Sequence, residues 1–277
     1  MSGQPEPEAQ EQNYTMGYNE EFQVLLRRRS ATSNAVHLLP RLSSGMRLLD
    51  VGCGPGTISM GLADAVAPGE FIGIDIEESQ IEMAKAAASA GGHKNAAFQV
   101  ADALNLPFES NSFDVVHSHA TIMHVPDTGG AVAEMLRVLK PSGTISCRDM
   151  ILSSCFTEPR YGDFDDAWTV FGKLLSANGG HPEMGKEIKG VLHAAGFSEI
   201  SASASFECFG AREDVDFFHG FASGWFFSDQ TAAAAKKLGL ASAEDLDRWR
   251  GLLDQWQADP AAISAIAWGE ALGKKPG

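Results

Sequence analysis

The stretch Leu48–Ser59, which reads LLDVGCGPGTIS, determines the expected fold of this 277-residue chain. Its first residues form a short apolar run of the kind that becomes a buried strand. Glycines then occupy every second position at Gly52, Gly54 and Gly56, and a helical pattern follows from Thr57. Glycine lets a ligand approach the backbone closely, and a helix N-terminus attracts an anionic group. The segment therefore predicts a strand–loop–helix unit that binds a ligand.

The glycine spacing and two nearby acids narrow the class of ligand. The dinucleotide fingerprint is G-x-G-x-x-G, whereas the third glycine of this loop comes one residue earlier. Asp50 lies beside the loop, where a carboxylate repels a pyrophosphate and attracts a sulfonium ligand that carries an ammonium group. Asp75 ends the next predicted strand, where it would hold a ribose in either class of site. A nicotinamide-dependent oxidoreductase therefore remains an alternative, which calorimetry with NAD would test.

Short apolar runs alternate with longer amphipathic stretches after the loop, which predicts βαβ units. We expect an α/β, Rossmann-like, doubly wound sheet of seven mostly parallel strands with helices on both faces. The predicted strands are Met46–Val51, Glu70–Asp75, Ala96–Val100, Phe113–Ser118, Gly143–Met150, Phe197–Phe206 and Ile263–Ala271. The predicted helices are Glu20–Leu39, Thr57–Val66, Glu78–Ala90, Thr128–Leu139 and Pro182–Ala195.

The remaining segments complete the expected domain organisation. Residues 1–13 are polar and rich in Pro, Glu and Gln, which predicts a disordered tail. Residues 14–277 are expected to form one domain. Within it, residues 14–42 form an N-terminal helical cap and residues 211–258 form a helical lid insert.

Five segments, in order along the chain, resemble motifs of one family. Residues 48–59 resemble the first motif of class I S-adenosylmethionine-dependent methyltransferases, and GIDIEESQIEMAKAAA at 73–88 resembles the second. VADALNLPF at 100–108 and FDVVHSHATIMHVPD at 113–127 resemble the third and fourth motifs. RVLKPSGTI at 137–145 resembles the segment before the fifth strand. The set is similar to the ubiquinone-biosynthesis-type branch, which methylates small molecules.

The resemblance implies S-adenosylmethionine as the cofactor, S-adenosylhomocysteine as the product, and no metal. Asp75 would accept hydrogen bonds from both ribose hydroxyls, and Asp102 would lie near the adenine amine. Ser118 or His119, at the end of the fourth strand, would contact the methionine amine through its backbone. The expected cofactor-binding residues are Arg29, Asp50, Gly52, Cys53, Gly54, Gly56, Asp75, Ile76, Gln80, Asp102, Ala103, Ser118 and His119.

A second resemblance lies upstream of the glycine loop. Residues 29–35 resemble an Arg-Thr-Ala-x-Asn-Ser-Ala segment of fungal and actinobacterial members of the family, although Ser30 replaces the threonine and the asparagine is displaced by one position. The match implies that Arg29 reaches the methionine carboxylate from an N-terminal helix. A fungal enzyme that methylates the thiols of a dithiol natural product belongs to this neighbourhood. The acceptor is therefore expected to be an O, N or S atom of a small molecule, which is a secondary metabolite or a quinone-like or dithiol compound.

Two histidines are candidate catalytic groups. His119 and His124 follow the fourth predicted strand, where open α/β sheets bind their ligands, and either could act as a general base. A structural role competes with this interpretation, and a thiolate or neutral amine acceptor needs no base. The acids Asp149, Asp163, Asp165 and Asp166 lack the fixed spacing of a magnesium site, so we expect no metal.

Aromatic residues outside the motifs are candidates for the acceptor pocket. The segment from Phe217 to Phe227 is dense in aromatic side chains, and such side chains commonly line small-molecule pockets. Packing of the insert onto the sheet is the competing explanation. The expected pocket residues are Tyr18, Met123, Trp168, Phe218, Phe221 and Trp225.

Composition limits the other classes of partner. The net charge of −15 argues against a nucleic-acid surface, and the absence of an apolar run of about 18 residues argues against a membrane span. Four cysteines without metal-like spacing, and no export signal, favour a reducing cytoplasmic compartment. We expect a small-molecule acceptor and a monomer or homodimer. A non-catalytic S-adenosylmethionine-binding regulator is the alternative, and a closed acceptor pocket would favour it.

Overall fold

The computed structural model of the protein describes residues 20–277, and a central β-sheet forms their framework. The predicted tail at residues 1–13, the start of the predicted cap at 14–19, and Tyr18 lie outside the described residues. Within residues 20–277, the sheet has eight strands. They are β1 (Leu48–Val51), β2 (Phe71–Asp75), β3 (Ala96–Val100), β4 (Phe113–His119), β5 (Leu139–Met150), β6 (Phe156–Glu158), β7 (Ser198–Phe209) and β8 (Ile263–Lys274).

The strand order creates a switch point between β1 and β4. The order is β3-β2-β1-β4-β5-β8, with β7 along the outer edge of β8 and β6 beside β8 in line with β5. Strands β1 to β5 run parallel, whereas β8 is antiparallel to its neighbours. The described sheet has one strand more than the seven predicted, because Phe156–Glu158 pairs with the start of β8. Ligands of such sheets bind at the switch point, beyond the carboxyl ends of the strands.

Helices cover both faces of the sheet. Leu48 of β1 belongs to one apolar cluster with Leu62 and Ile81, whereas Leu49 belongs to another with Met135 and Ile188. Successive side chains of a strand point to opposite faces, so the two clusters are the two layers of a doubly wound α/β fold, as predicted. The helices are α1 (Glu20–Arg27), α2 (Ala31–Asn34), α3 (Thr57–Val66), α4 (Glu78–Gly91), α5 (Thr128–Val138), α6 (Asp165–Ala177), α7 (Met184–Ala194), α8 (Arg212–Trp225), α9 (Asp229–Lys237) and α10 (Ala243–Ala258).

The N-terminal segment is not the continuous helix predicted over Glu20–Leu39. Helix α1 ends at Arg27, and Ser30 has extended backbone angles (φ −147°, ψ 163°) before α2 begins. The Ser30 amide donates to Ser33 Oγ at 3.2 Å and to Asn34 Oδ1 at 3.3 Å. Side chains of Ser and Asn compete with the helix for backbone groups, which explains the break. As a result, α1 packs beside α8 and α2 packs beside α3.

The region after β5 contains more separate helices than the sequence indicated. The predicted insert at 211–258 is divided into α8, α9 and α10. Ser228 Oγ accepts a hydrogen bond from the Thr231 amide at 3.3 Å, and Ser242 Oγ accepts one from the Asp245 amide at 3.1 Å, so these serines cap α9 and α10. Helix α6 was not predicted. Across residues 20–277, no helix has the length and apolar character that a membrane crossing requires.

Candidate active site

The loop between β1 and α3 has a backbone path that requires glycine. Gly52 and Gly54 have φ values of +73° and +53°. A Cβ atom at Gly52 would collide with the side chain of Thr121, whereas one at Gly54 would meet no heavy atom within 4 Å. The amides of Gly52 and Cys53 donate to the Ile74 carbonyl at 2.8 and 2.9 Å, which holds the loop against the end of β2. The loop is therefore fixed on the protein side and open at Gly54.

A cavity of about 570 Å³ lies beyond the carboxyl ends of β1, β2 and β4. This volume is within the range of roughly 300–1,000 Å³ that is usual for small-molecule sites. The cavity brings together the predicted residues Arg29, Asp50, Gly52, Cys53, Gly54, Asp75, Ile76, Gln80, Asp102, Ala103 and His119. Gly56 and Ser118, which are also predicted cofactor-binding residues, are not among the residues that line this cavity. Gly56 is the N-cap of α3, and strand alternation turns the fully buried Ser118 away from the face of His119.

Asp50 is a buried acid on the cavity wall. Only 3% of the residue is exposed, and its Oδ2 accepts a hydrogen bond from Ser59 Oγ at 2.7 Å. Burial raises the pKa of Asp50 to about 7, although the Ser59 hydrogen bond opposes the shift. A cationic ligand group beside this carboxyl would stabilise its ionised form.

Asp75 connects the end of β2 to the glycine loop. Its Oδ2 accepts from the Gly54 amide at 2.9 Å, and its Oδ1 accepts from the Glu77 amide at 3.0 Å. Burial raises the pKa of Asp75, while these two backbone hydrogen bonds act in the opposite direction. The carboxyl group is thereby held in one orientation at the cavity.

The β2–β3 end of the cavity combines apolar and polar surface. Ile76 is 53% exposed, which is unusual for a large apolar side chain, and Ala103 lies in the same wall. Asp102 Oδ1 accepts from the Leu104 amide at 2.9 Å, which fixes the acid at the rim. Gln80 is 2% exposed, and its Oε1 has no hydrogen-bond partner among residues 20–277. This combination suits an adenine ring with polar edges.

The β4 side of the cavity carries the predicted histidines beside a cation. His119 and His124 both line the cavity, as does Arg29. Burial, followed by the Arg29 guanidinium, lowers the pKa of His124 to about 3. Burial, followed by Arg29 and Arg148, holds the pKa of His119 well below its usual value. Both imidazoles are therefore neutral at physiological pH, and such weak bases are poorly suited to proton abstraction.

Part of the cavity lining consists of residues that the sequence did not indicate. Phe22 and Leu26 come from α1, Leu175 and Asn178 from the C-terminal end of α6, and Gln230 from α9. The repeat of apolar residues at Ala167, Val170, Phe171, Leu174 and Leu175 has helical spacing and would have predicted α6. No local pattern indicates that the end of this helix reaches the cavity.

The aromatic residues predicted to line the acceptor pocket lie in the core of the described structure. Trp168, Phe218, Phe221 and Trp225 do not line the cavity. Phe218 is 3% exposed, and its ring lies 5.2–6.4 Å from four other aromatic rings: Trp168, Phe209, Phe221 and Trp256. Trp225 stacks on Phe221 at 5.4 Å in the same core. Met123 is 1% exposed in this core and is likewise outside the lining. These side chains attach the helices to the sheet, which was the competing explanation.

Phe218→Ala is expected to lower the free energy of unfolding by about 3–5 kcal/mol, because it removes a buried ring and leaves a cavity. The affinity of the folded variant for S-adenosylhomocysteine should stay within about threefold of the original. Urea titration and calorimetry measure the two quantities. Phe206→Ala is the matched control: Phe206 is 54% exposed, so its loss should cost less than about 1 kcal/mol. A large loss of affinity for S-adenosylhomocysteine with an unchanged free energy of unfolding would show that Phe218 does line the ligand pocket.

The acids considered for a metal site are separated in the structure. Asp163 pairs with Arg248 at 2.6 Å, and Asp149 accepts from the Met123 amide at 3.1 Å. Across the part of the chain that the structure describes, no group of three or more His, Cys, Asp or Glu side chains is placed to hold a metal ion.

The cavity offers a suitable partner for each of the chemically different groups of S-adenosylmethionine. The open space beside Gly54 admits a ligand close to the loop backbone. The buried acid Asp50 suits the ammonium group, and Asp75 is an anionic acceptor for hydroxyl groups. The buried Oε1 of Gln80 offers a further acceptor to a polar ligand.

Comparisons with known proteins identify the family. Residues 42–196, more than half of the chain, match the family described as a methyltransferase domain. The chain is 30% identical over 194 residues to an uncharacterized methyltransferase of Schizosaccharomyces pombe, covering 67% of this chain and 69% of that protein. It is 36% identical over 168 residues to the probable methyltransferase ltbC of Aspergillus luteorubrus, covering 57% of this chain and 58% of that protein. The chain therefore belongs to the methyltransferase domain family.

Solved structures agree with this family at the level of the fold. The YcgJ protein of Bacillus subtilis aligns with a TM-score of 0.59 at 19% identity, covering 87% of this chain and 97% of that one. Phosphoethanolamine N-methyltransferase 2 of Haemonchus contortus, solved in complex with S-adenosyl-L-methionine, aligns with a TM-score of 0.53 at 20% identity, covering 94% of this chain and 53% of that one. The predicted enzyme class, a methyltransferase that uses S-adenosylmethionine, is thereby confirmed.

Proposed function

We propose that the protein transfers a methyl group from S-adenosylmethionine to an O, N or S atom of a small molecule. One observation carries the proposal: a single cavity of about 570 Å³ is lined by the glycine loop with Asp50, Asp75 and Asp102, and also by residues of α1, α9 and the C-terminal end of α6. A cavity of this size has room for a small second ligand beside the donor. Its continuity favours an enzyme over a regulator that only binds the cofactor.

The cofactor groups can be assigned to the side chains that line the cavity. We assign the ribose hydroxyls to Asp75, the adenine amine to Asp102, and the adenine faces to Ile76 and Ala103. Asp50 attracts the ammonium group, directly or through water. The resemblance upstream of the loop supports Arg29 as the partner of the methionine carboxylate. The negative charge of Asp50 and the positive charge of Arg29 thereby orient the ammonium and carboxylate groups of the methionine end.

The acceptor side favours a nucleophile that needs no base from His119 or His124. When bound, the cofactor supplies an electrophilic methyl group on a sulfonium, and the chain orients the acceptor and excludes water. A base whose conjugate acid has a pKa of about 3, as for His124, removes few protons at neutral pH. Phe22, Leu26 and Leu175 give the acceptor an apolar surface. A thiolate, an acidic phenol or a neutral amine on an apolar framework meets these requirements.

The name of one group of relatives supports a quinone-like acceptor. Demethylmenaquinone methyltransferase of Bacillus pumilus is 30% identical over 177 residues, covering 59% of this chain and 75% of that protein. The test is an untargeted assay of labelled S-adenosylmethionine against thiols, phenols, quinols and amines. Transfer to one class supports the proposal, and binding of the cofactor without transfer to any of them contradicts it.

The affinity for S-adenosylhomocysteine is expected to rise about tenfold between pH 6 and pH 8, because Asp50 ionises through this range. When the pH falls below the pKa of Asp50, which is about 7, the carboxyl group becomes protonated and no longer attracts the ammonium group. Calorimetry across the pH range measures the effect. Asp50→Asn should flatten the profile.

Asp149→Asn is the matched control for this pH dependence. Burial also raises the pKa of Asp149 to about 7, but this acid does not line the cavity. Its substitution should leave the rise in affinity in place. A profile that stays steep in Asp50→Asn would contradict the assigned role.

Two further properties belong to the proposal. Cys53, Cys147, Cys155 and Cys208 are all free, which favours a reducing compartment such as the cytoplasm. We propose a monomer or a homodimer, which sedimentation analysis would distinguish.

A further inference from the structure

A row of polar side chains crosses four strands beside the active site. His119 of β4, Arg148 of β5, Glu270 of β8 and Ser203 of β7 occupy consecutive positions in the register of the sheet. Arg148 Nε donates to Glu270 Oε1 at 3.2 Å, and both residues are buried. Ser203 and Ser205 donate to the two oxygens of Glu270 at 2.7 and 2.6 Å. The carboxylate is thereby satisfied, and it fixes the guanidinium of Arg148.

The position of Arg148 determines which nitrogen of His119 carries a proton. Arg148 Nη1 lies 3.5 Å from His119 Nδ1. A guanidinium can only donate, so Nδ1 must be the acceptor of this contact. His119 is neutral because burial, Arg29 and Arg148 lower its pKa. In a neutral imidazole with an unprotonated Nδ1, the proton is on Nε2.

The protonated nitrogen has no protein partner in the described chain. Nε2 of His119 is buried and makes no hydrogen bond with residues 20–277, although His119 lines the cavity. Buried N–H groups are rarely left without a partner. The Trp268 ring packs on the imidazole at 4.9 Å, and Arg148 Cζ lies 4.5 Å from the same ring, which restricts rotation of His119. The arrangement presents a fixed donor next to the cation Arg29.

We propose that Arg148 and Glu270 are positioning residues that hold His119 in the Nε2–H tautomer, so that His119 donates a hydrogen bond to an anionic oxygen of a bound ligand. The hydrogen bond from His119 to a ligand rests on the proposed function. The tautomer of His119 does not rest on it, because Arg148 and Glu270 set the tautomer in the protein without ligand. An anionic oxygen is the partner that an N–H donor and a neighbouring guanidinium both favour. Two sources supply one: the methionine carboxylate of the cofactor and an oxyanion of the acceptor. In either case His119 is a binding group, and its Nε2 cannot take up a proton.

The tautomer is tested by the nitrogen NMR signals of His119 in ¹⁵N-histidine-labelled protein without ligand. We expect an unprotonated Nδ1 and a protonated Nε2 in the original protein and in Arg148→Lys, which keeps a cationic donor. The double variant Arg148→Met/Glu270→Gln removes both buried charges together, which avoids leaving one of them unpaired. It should show a mixture of tautomers. A protonated Nδ1 in the original protein overturns the proposal, as does an unchanged tautomer in the folded double variant.

The ligand contact is tested with His119→Gln and His119→Phe. Glutamine keeps an N–H donor near the position of Nε2 but is not a base, whereas phenylalanine keeps only the ring. If the cofactor carboxylate is the partner, His119→Phe weakens S-adenosylhomocysteine binding about 10- to 100-fold, and His119→Gln recovers most of that loss. Binding of 5′-methylthioadenosine, which has no amino-acid group, should change less than threefold.

An oxyanion of the acceptor, the second possible source of the anionic oxygen, gives a different result in His119→Gln and His119→Phe. If the acceptor oxygen is the partner, S-adenosylhomocysteine binding is unchanged, and KM for the acceptor rises in His119→Phe but not in His119→Gln. Equal effects of both variants on kcat, with no change in either affinity, would indicate a general base and overturn the donor role. Failure of the original protein to bind S-adenosylhomocysteine would contradict the proposed function and leave the tautomer result standing.

Discussion

Gly54→Ala is expected to weaken S-adenosylhomocysteine binding at least 100-fold while lowering the free energy of unfolding by only about 1–2 kcal/mol. The small loss of stability follows from the left-handed backbone at φ +53°, which an alanine adopts with strain. No protein atom lies within 4 Å of the added Cβ, so the fold itself can accommodate it. The cavity cannot, because Gly54 is part of the wall that the ligand approaches. Calorimetry and urea titration measure the two effects.

Gly92→Ala is the matched control for this substitution. Gly92 has φ +71°, a Cβ atom added there would likewise meet no heavy atom within 4 Å, and the residue caps α4 away from the cavity. Its substitution should give the same loss of stability and no loss of affinity. Gly54→Ala protein that binds S-adenosylhomocysteine as tightly as Gly92→Ala protein would show that the ligand does not approach this loop.

Asp75→Asn is expected to weaken S-adenosylhomocysteine binding about 100-fold. Hydrogen bonds to a charged group contribute roughly 1.5–3 kcal/mol each, and the proposed ribose contact loses the charge that strengthens them. The same carboxyl group accepts hydrogen bonds from the backbone amides of Gly54 and Glu77. Asp75→Asn should therefore also lower the free energy of unfolding by about 1 kcal/mol. Titration calorimetry of the purified variant measures the affinity.

Glu78→Gln makes the same change of charge at an exposed position in the first turn of α4, outside the cavity. This control should bind S-adenosylhomocysteine within about twofold of the original protein. If Glu78→Gln and Asp75→Asn lost affinity equally, the effect of Asp75 would come from the general field of the protein and not from a contact with the ribose.

The cofactor side of the site could be predicted because its requirements are local. Gly52 and Gly54 must adopt positive φ values, and the following helix must begin immediately, so the residue types record the backbone path directly. Asp50 and Asp75 stand at fixed distances from that loop, at the ends of strands whose burial is evident from apolar runs. Local constraints of this kind can be recognised in a single sequence.

The proposed acceptor side could not be predicted because its residues meet only through tertiary packing. Leu175 and Asn178 come from α6, whereas Gln230 comes from α9, more than fifty residues away. Leucine at the end of a helix is equally typical of a core. The aromatic residues around Phe218 illustrate the same ambiguity, since large rings fill cores as readily as they line pockets.

The role of His119 shows a third limit. Its position at the end of β4 predicts a place at the ligand-binding edge of the sheet, and the residue lines the cavity. The proton on its ring depends on Arg148, 29 residues later and on the neighbouring strand. That contact arises from strand register, which the order of residues along the chain does not display. The sequence therefore places the histidine at the end of β4, but it does not show which ring nitrogen carries the proton.

The break at Ser30 divides the N-terminal segment between two parts of the enzyme that tolerate change differently. Helix α2 lies against α3 in the tightly packed layer beneath the glycine loop, where substitutions disturb the donor site. Helix α1 contributes Phe22 and Leu26 to the cavity lining and packs on α8. On the proposed function, mutations in α1 are expected to alter which molecules are methylated while the methyl donor stays the same. A protein built in this way can acquire new substrates through a few apolar replacements, without rebuilding its cofactor site.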